Sequence, residues 1–504
     1  MDGSLRRWAA FAAFAVGAIY VLRLDHVAGL IKDDAWYMVL AKALASGQGF
    51  ALISSATTPI LPTVPPGFPA LLAPVFWIHP SFPDNVIWLK LISVAALGIA
   101  AVVVFLDYRA HRGVEAPVAL VLTTVVMLTP ALVFLATSTV MSDCVFLSVQ
   151  VLAVVALEQA ARGGGRGWPV IAGALSAAAY LVRITGLAVI AAGAAYLIVR
   201  RQRRSAMVFL AVAAVGILPW ELYARAHAPT MAQRIEHGGS IAFPYRQLVT
   251  TRADRAVAIS AGEQWSRGLQ NLNGIFTRDI GAAIVPILYR GANESGQEVV
   301  SVGEPGRGSM GGAFGTRVVS LVLWGLVGIG IFRSRAWLSL PVLLLGATVL
   351  MVAPVNAQTF RYLVPVVPFL VVYLWHGVRL AHAGRIVMAT LLSLHLLDHA
   401  GYLQLRWTGG AEWLAEGQDV DQVLAFIAGS DEGAVASTNP GLVYLRTGRK
   451  GIYLVNPDRN WDTWRSWNVR YVAALQPLPK PAHAAGLSGG LRTARFGYWA
   501  VQIP

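Results

Sequence analysis

Long apolar runs separated by short, basic connections set the pattern of this chain. A membrane-crossing helix needs about 20 predominantly apolar residues. Runs of that kind lie near 8–24, 86–106, 115–135, 143–160, 168–182, 186–199, 205–220, 314–332, 338–354, 362–378 and 386–402. The pattern predicts a polytopic α-helical membrane protein with about eleven transmembrane helices, several of them short. Bases gather in alternate connections: Arg109/Arg112, Arg162/Arg166, Arg200/Arg201/Arg203/Arg204, Arg333/Arg335 and Arg379/Arg385. Short basic connections stay inside, so the N-terminus is expected inside and the C-terminus outside. The short outer connections hold isolated bases such as Arg183 and Arg361. The first run, Trp8 to Leu22, follows Arg6 and Arg7 as a signal peptide would. With no small-residue cleavage site after it, it reads as a retained helix.

Three outer segments are long. The first, about 25–85, opens with Asp33-Asp34 and continues Ala35-Trp36-Tyr37-Met38-Val39-Leu40-Ala41, which reads as a short amphipathic helix with the acidic pair facing water. It also contains Pro62-Thr63-Val64-Pro65-Pro66-Gly67-Phe68-Pro69, where fixed φ and missing donors predict a stiff extended hairpin or collar. The second, about 221–313, mixes polar and aromatic residues such as Glu263-Gln264-Trp265 and ends in a Gly/Ser-rich stretch, 302–312, expected to be mobile. The third begins near 405. A polar helix (Asp419 to Gly429) alternates there with strand-like runs at 434–437, 450–455 and 469–475. The expected division is a membrane module, 1–404, and a small extracytoplasmic α/β domain, 405–504.

Composition agrees with this and removes alternatives. The 504 residues are 56% hydrophobic and 13% charged, against about 25% charged in soluble domains. A net charge of +14 would point to nucleic acid in a soluble protein. Here the bases are topology signals, and no nucleic-acid partner is expected. One cysteine, Cys144, lies within an apolar run, which excludes an internal disulfide, a cysteine metal site and a redox pair.

The polar residues at the outer ends of the runs carry the candidate chemistry. Charge near hydrocarbon costs about 2.5–3.5 kcal/mol for an Asp at a helix centre, so a paired anion there calls for a purpose. Asp33 and Asp34 lie outside the first run, Ser142-Asp143 at the outer start of the fourth, Arg183-Ile184-Thr185-Gly186 between the fifth and sixth, and Phe360-Arg361-Tyr362 at the tenth. Arginine offers planar, permanently charged donors to phosphate oxygens, and a carboxylate can take a proton from a hydroxyl. Together they suit transfer from a lipid-borne phosphate, where cationic donors stabilise the leaving group. Attack opposite that group needs one carboxylate base and inverts the anomeric centre. Plainer roles stand beside these: Arg183 and Arg361 as snorkelling anchors, Ser142 or Asp143 as a helix cap, one of Asp33 and Asp34 as a cap for the amphipathic helix. His395 and His399, four apart with Asp398 between, have weak metal-ligand spacing, and Asn293-Glu294-Ser295 fits a glycosylation acceptor.

The order of these motifs resembles the GT-C superfamily of membrane glycosyltransferases, nearest to its protein O-mannosyltransferase and aminoarabinose transferase branch. The resemblance rests on Asp33-Asp34-x-x-Tyr37 with Ala41 and Gly47-Gln48-Gly49, on Pro65-Pro66-Gly67-Phe68-Pro69, and on Ser138-Thr139-Val140-Met141-Ser142-Asp143. Arg183-Ile184-Thr185-Gly186, Leu218-Pro219-Trp220 and Arg361-Tyr362-Leu363-Val364-Pro365 add to it. It implies a GT-C fold and inverting transfer of a sugar from a polyprenyl-phosphate-linked donor to a hydroxyl on protein, lipid or glycan, at the extracytoplasmic face of a bacterial inner membrane. Asp33 would be the general base, Asp34 a supporting acid, and Asp143 the second acidic residue, orienting the acceptor or a cation. Arg183 and Arg361 would face the donor phosphate, with Tyr37, Pro65 and Pro66 on the acceptor side. The resemblance fixes no cofactor and leaves a divalent cation open. The second motif position is Asp34 where many relatives have Glu. The competing class is a lipid or sugar transporter, or a flippase, without covalent chemistry; such proteins show repeated halves and midplane ionisable groups, and neither stands out here.

Overall fold

A computed structural model describes residues 3–57, 59–61, 64–230, 233, 245–252, 257–286, 310–355, 359–379, 383–454, 464, 467–476 and 490–503. The Asn293-Glu294-Ser295 pattern and most of the 302–312 stretch lie outside them, although 310–312 already belong to a helix.

Every apolar run of the sequence folds as helix. The elements are α1 (Gly3–Arg23), α2 (Lys32–Ala45), α3 (Gly67–Ile78), α4 (Val86–His111), α5 (Ala116–Met127), α6 (Pro130–Thr137), α7 (Asp143–Ala161), α8 (Gly167–Val182), α9 (Gly186–Val199) and α10 (Arg203–Ala226). After these come α11 (Tyr245–Thr250), a hairpin of β1 (Thr251–Arg252) and β2 (Val257–Ala258), α12 (Ala261–Gly274) and α13 (Ile280–Ile284). Then follow α14 (Met310–Arg333), α15 (Leu340–Val352), α16 (Thr359–Leu363), α17 (Val367–Val378) and α18 (Ala383–Trp407). Among the described residues seven helices are long and apolar enough to cross a membrane, or eight if the 55° bent pair α5 and α6 makes one crossing. Shorter apolar helices, among them α8, α9 and α15, stand beside them. The chain is a multi-pass membrane protein.

Helix α7 sits at the centre, packed against α4, α8 and α9 and against the 3₁₀ turn Val364–Val366 that joins α16 to α17. Peripheral α1 exposes Trp8, Phe11 and Phe14, the large apolar side chains expected to meet lipid. Buried ion pairs fasten the bundle where apolar packing alone would leave polar groups unsatisfied. Lys90 spends its three ammonium protons on the Asp25 carboxylate (2.6 Å), the Asp25 carbonyl (2.8 Å) and the Val27 carbonyl (2.7 Å). Ser138 donates to the other Asp25 oxygen at 2.9 Å. Arg112, at the C-terminal end of α4, joins Asp107 in the last turns of that helix (2.8 Å) to Glu158 of α7 (2.6 Å). Asp107, His111 and Glu158 bring their ligand atoms within 4.8 Å of one another, but Arg112 already balances both carboxylates. His395 and His399, the spaced pair of the sequence, serve as backbone partners instead: His395 bonds the Ile284 carbonyl at 2.8 Å and His399 the Leu128 carbonyl at 2.9 Å. The Arg23 guanidinium completes the His399 ring at Nδ1, 2.8 Å away.

Beyond α18 the chain forms α19 (Glu412–Ala428), β3 (Ala434–Ser437), α20 (Pro440–Thr447), β4 (Gly451–Tyr453), β5 (Val469–Ala474), β6 (Leu491–Arg492) and β7 (Trp499–Gln502). The sheet order is β4-β3-β5-β7-β6, with β4 and β5 parallel to β3 and the last two pairings antiparallel. The strand-like runs of the sequence therefore fall on strands. Residues 54–56 of the first long connection extend the sheet at its β4 edge: Gly451 N–H donates to Ser54 O at 2.8 Å, and the Gly451 carbonyl accepts from Ala56 N–H at 2.9 Å.

Two expectations for that first connection need correction. Residues 67–69 of the proline-rich stretch are not extended but form the first turn of α3, where proline is tolerated because the amide it lacks would be unpaired anyway. Helix α2 is not an amphipathic helix lying in water: Asp34 to Ala41 are all buried, because α3 covers one side and α20 another.

Candidate active site

The first turn of α2 holds Asp33 and Asp34, where acidic side chains favour the positive end of the helix dipole. Successive residues on a helix point about 100° apart, and the two carboxylates go separate ways. The Asp33 side chain is 35% exposed and takes Arg361 Nη1 at 3.3 Å. Asp34 is fully buried and accepts the Gly29 amide at 3.0 Å. Asp34 therefore stands apart from the cluster that Asp33 joins.

That cluster has two arginines on one carboxylate. Asp143, wholly buried in the first turn of α7, receives Arg183 Nη1 at 2.9 Å and Arg361 Nη2 at 3.2 Å on the same oxygen, Oδ2. Arg361 thus bridges Asp33 and Asp143 with its two terminal nitrogens. Ser142 makes no capping bond; its hydroxyl lies 3.3 Å from both Arg183 Nη1 and the Tyr37 hydroxyl. The Tyr37 ring meets Phe68 edge-on, centroids 5.1 Å apart, and burial pushes its ionisation up, holding it as a donor. Arg183 also stacks over the Tyr362 ring, 5.0 Å from its centroid. Asp33, Tyr37, Ser142, Asp143, Arg183 and Arg361 are therefore one connected constellation drawn from α2, α7, α16 and the turn after α8.

The proline-rich motif supports it from behind. A side chain at Gly67 would place its Cβ 2.6 Å from the Leu181 carbonyl, so only glycine lets α3 approach the end of α8, just before Arg183. Phe68 then reaches Tyr37. Pro65 and Pro66 precede this contact, with Pro66 at the N-cap of α3; they set the helix start and show no hydrogen bond to the charged cluster. Asp107, Arg112 and Glu158 lie at the other end of the same bundle, since Asp143 and Glu158 are separated by most of α7, roughly 22 Å of helix. Ser142 as a hydrogen-bonding link and Tyr362 as a stacking partner have no sequence signal beyond their places beside Asp143 and Arg361.

Asp34 titrates unlike a surface carboxyl. Burial is the main cause, raising its pKa to about 7, against the Gly29 amide and the Lys90 charge, which lower it, while Asp33 adds to the rise. The folded protein then keeps a proton that the unfolded chain has released between about pH 4 and pH 7, so this group contributes stability that is lost as pH rises through that window. Asp34→Asn should remove the slope. Wild type should lose thermal midpoint relative to the variant on going from about pH 5 to about pH 8; a constant difference would show that Asp34 is ionised throughout.

No protein-family model and no curated protein matches the chain. Solved structures do. ArnT from Cupriavidus metallidurans, bound to undecaprenyl phosphate, superposes with a TM-score of 0.58 at 13% identity, covering 98% of both chains. The Archaeoglobus fulgidus oligosaccharyltransferase, tethered with an acceptor peptide, gives a TM-score of 0.54 at 14% identity over 92% of this chain and 69% of that one. The same organism's AglB, in complex with an inhibitory peptide and a dolichol-phosphate, gives 0.52 at 13% identity over 94% and 70%. At such identities the likeness speaks for the fold, and it spans the membrane helices and the C-terminal sheet alike. The chain shares the fold of the GT-C glycosyltransferases.

Proposed function

We propose that the chain is an inverting glycosyltransferase, taking a sugar from a polyprenyl-phosphate-linked donor and giving it to a hydroxyl acceptor. The observation that carries this is the Arg361 bridge between a partly open carboxylate, Asp33, and a buried one, Asp143. The fold shared with ArnT and the oligosaccharyltransferase, whose structures hold undecaprenyl phosphate, dolichol-phosphate and an acceptor peptide, supports the choice of substrates.

The arrangement supplies each part of such a reaction. Arg183 and Arg361 are balanced by Asp143 and Asp33. A donor phosphate arriving beside them competes for guanidinium protons, which pair well with phosphate oxygens. Arg361 can then turn its Nη1 from Asp33 to phosphate while Asp143 keeps its Nη2. Asp33 is left free to accept the acceptor's hydroxyl proton as that oxygen attacks the anomeric carbon. The carbon–oxygen bond to the carrier breaks with its electron pair passing to the phosphate, where the arginines stabilise it. One displacement inverts the anomeric centre, and no covalent enzyme intermediate is needed.

In this reading residues 1–404 are the catalytic membrane module, with about eleven crossings once the short helices are included. Residues 405–504 form an extracytoplasmic domain, the site opens on that side of a bacterial inner membrane, and a divalent cation is not needed by the steps above. The experiment is to incubate membranes carrying the chain with labelled prenyl-phospho-sugars of several kinds. Label should move covalently to a glycan, lipid or protein pool. Movement of unchanged donor across proteoliposomes, with no new glycosidic bond, would favour a transporter or flippase.

A further inference from the structure

The residues on either side of Asp33 are both held by the C-terminal segment. Asn439, buried between β3 and α20, has two jobs. Its Oδ1 accepts from Leu442 N–H at 3.1 Å, capping α20, and its Nδ2 donates to the Gly29 carbonyl at 2.5 Å. The Gly29 amide in turn donates to Asp34 at 3.0 Å. Gly29 is in the left-handed region, φ +85°, and any Cβ there would lie 2.6 Å from the Leu442 side chain, so this peptide is fitted between α20 and α2. On the other flank the Lys32 ammonium bonds the Tyr453 hydroxyl and lies over its ring, 4.0 Å from the centroid. One residue before and one residue after Asp33 are thus fixed on the sheet side. Adjacent helical residues point in different directions, which leaves Asp33 aimed toward Arg361.

We propose that Asn439 is a positioning residue for Asp33: through the Gly29 peptide and Asp34, the C-terminal segment clamps the first turn of α2 and sets where the Asp33 carboxylate stands. The clamp itself follows from the hydrogen bonds; its effect on turnover rests on the glycosyltransferase reading above. It also gives the sheet a task in the reaction that the membrane helices do not perform.

The test uses the purified full chain. Asn439→Asp keeps the oxygen that caps α20 but presents an oxygen to the Gly29 carbonyl where a donor stood. Amide hydrogen exchange over residues 32–37 should rise. Because misplacement by about 1 Å can cost on the order of 100-fold, kcat should fall by about tenfold or more while donor KM stays within about twofold. Tyr453→Phe removes the hydroxyl that Lys32 bonds, keeps the ring beneath the ammonium and leaves α20 capped; it should change exchange and kcat in the same directions by smaller factors, and serves if Asn439→Asp fails to accumulate. Unchanged exchange over 32–37 overturns the clamp, and a wild-type kcat overturns the positioning role. If the wild-type chain transfers no sugar from any donor, the proposed reaction fails on its own, while exchange still reads the clamp.

Discussion

Asp33→Asn should insert, fold and bind donor with a near-normal KM, yet lose roughly 100- to 10,000-fold in kcat, the usual worth of a general base. The substitution preserves shape. Asparagine still offers Oδ1 to Arg361 Nη1, which reaches the carboxylate at 3.3 Å, and the stronger contact of Arg361 with Asp143 is untouched. What disappears is the capacity to hold a proton. The exposure of Asp33 makes it the member of the pair suited to that work: its side chain is 35% open while that of Asp143 is closed, and a hydroxyl can approach only the former. Initial rates with labelled donor, over a range of acceptor concentrations, separate the cases. Turnover within about tenfold of wild type would take the base role away from Asp33. A raised donor KM with unchanged kcat would make Asp33 a binding group instead.

The sequence made the bundle legible because apolar runs of spanning length have few other fates. It also brought Asp33, Asp143, Arg183 and Arg361 to one end of the molecule through the sidedness of the basic connections. That inference needed only the alternation of direction from helix to helix. What it missed depends on contacts between segments distant in the chain. Helix α2 looks amphipathic in isolation, and its stretch from Asp34 to Ala41 is buried because α3 covers one side and α20, some four hundred positions later, packs across Ala35 and Trp36 near Gly441. The split between Asp33 and Asp34 has the same origin, since the Gly29 peptide that draws Asp34 away is itself held by Asn439. The proline-rich stretch misled for a local reason. Proline lowers helix propensity in an interior but suits a first turn, and Pro66 and Pro69 flank the start of α3. Arg112, read as a topology signal, is also a buried partner of Asp107 and Glu158; the charge pattern could assign its side of the membrane but not its neighbours.

Asp143→Ala should be the most destabilising change in the site, by about 3–5 kcal/mol, the usual cost of stripping a buried ion pair of one partner. Two guanidiniums converge on its Oδ2, at 2.9 and 3.2 Å, and the carboxylate itself is inaccessible to water. Removing it leaves Arg183, 8% exposed, beside Arg361, and among the described residues the remaining carboxylate partner is Asp33, which reaches only Arg361. Repulsion between the two cations then adds to the desolvation cost that each still bears. The second substitution Arg183→Met tests this account, because it removes one stranded charge and keeps an apolar side chain to cover Tyr362. If the loss arises from uncompensated charge, the double variant should be more stable than Asp143→Ala alone, with a coupling energy of about 1–3 kcal/mol in the cycle. If the two losses simply add, Asp143 stabilises the fold through packing at the start of α7, and the ion pair contributes little. Thermal unfolding in detergent measures both terms. If the proposed donor site is right, the single variant should also lose donor binding together with stability, since the anion on which Arg183 and Arg361 converge is the one removed.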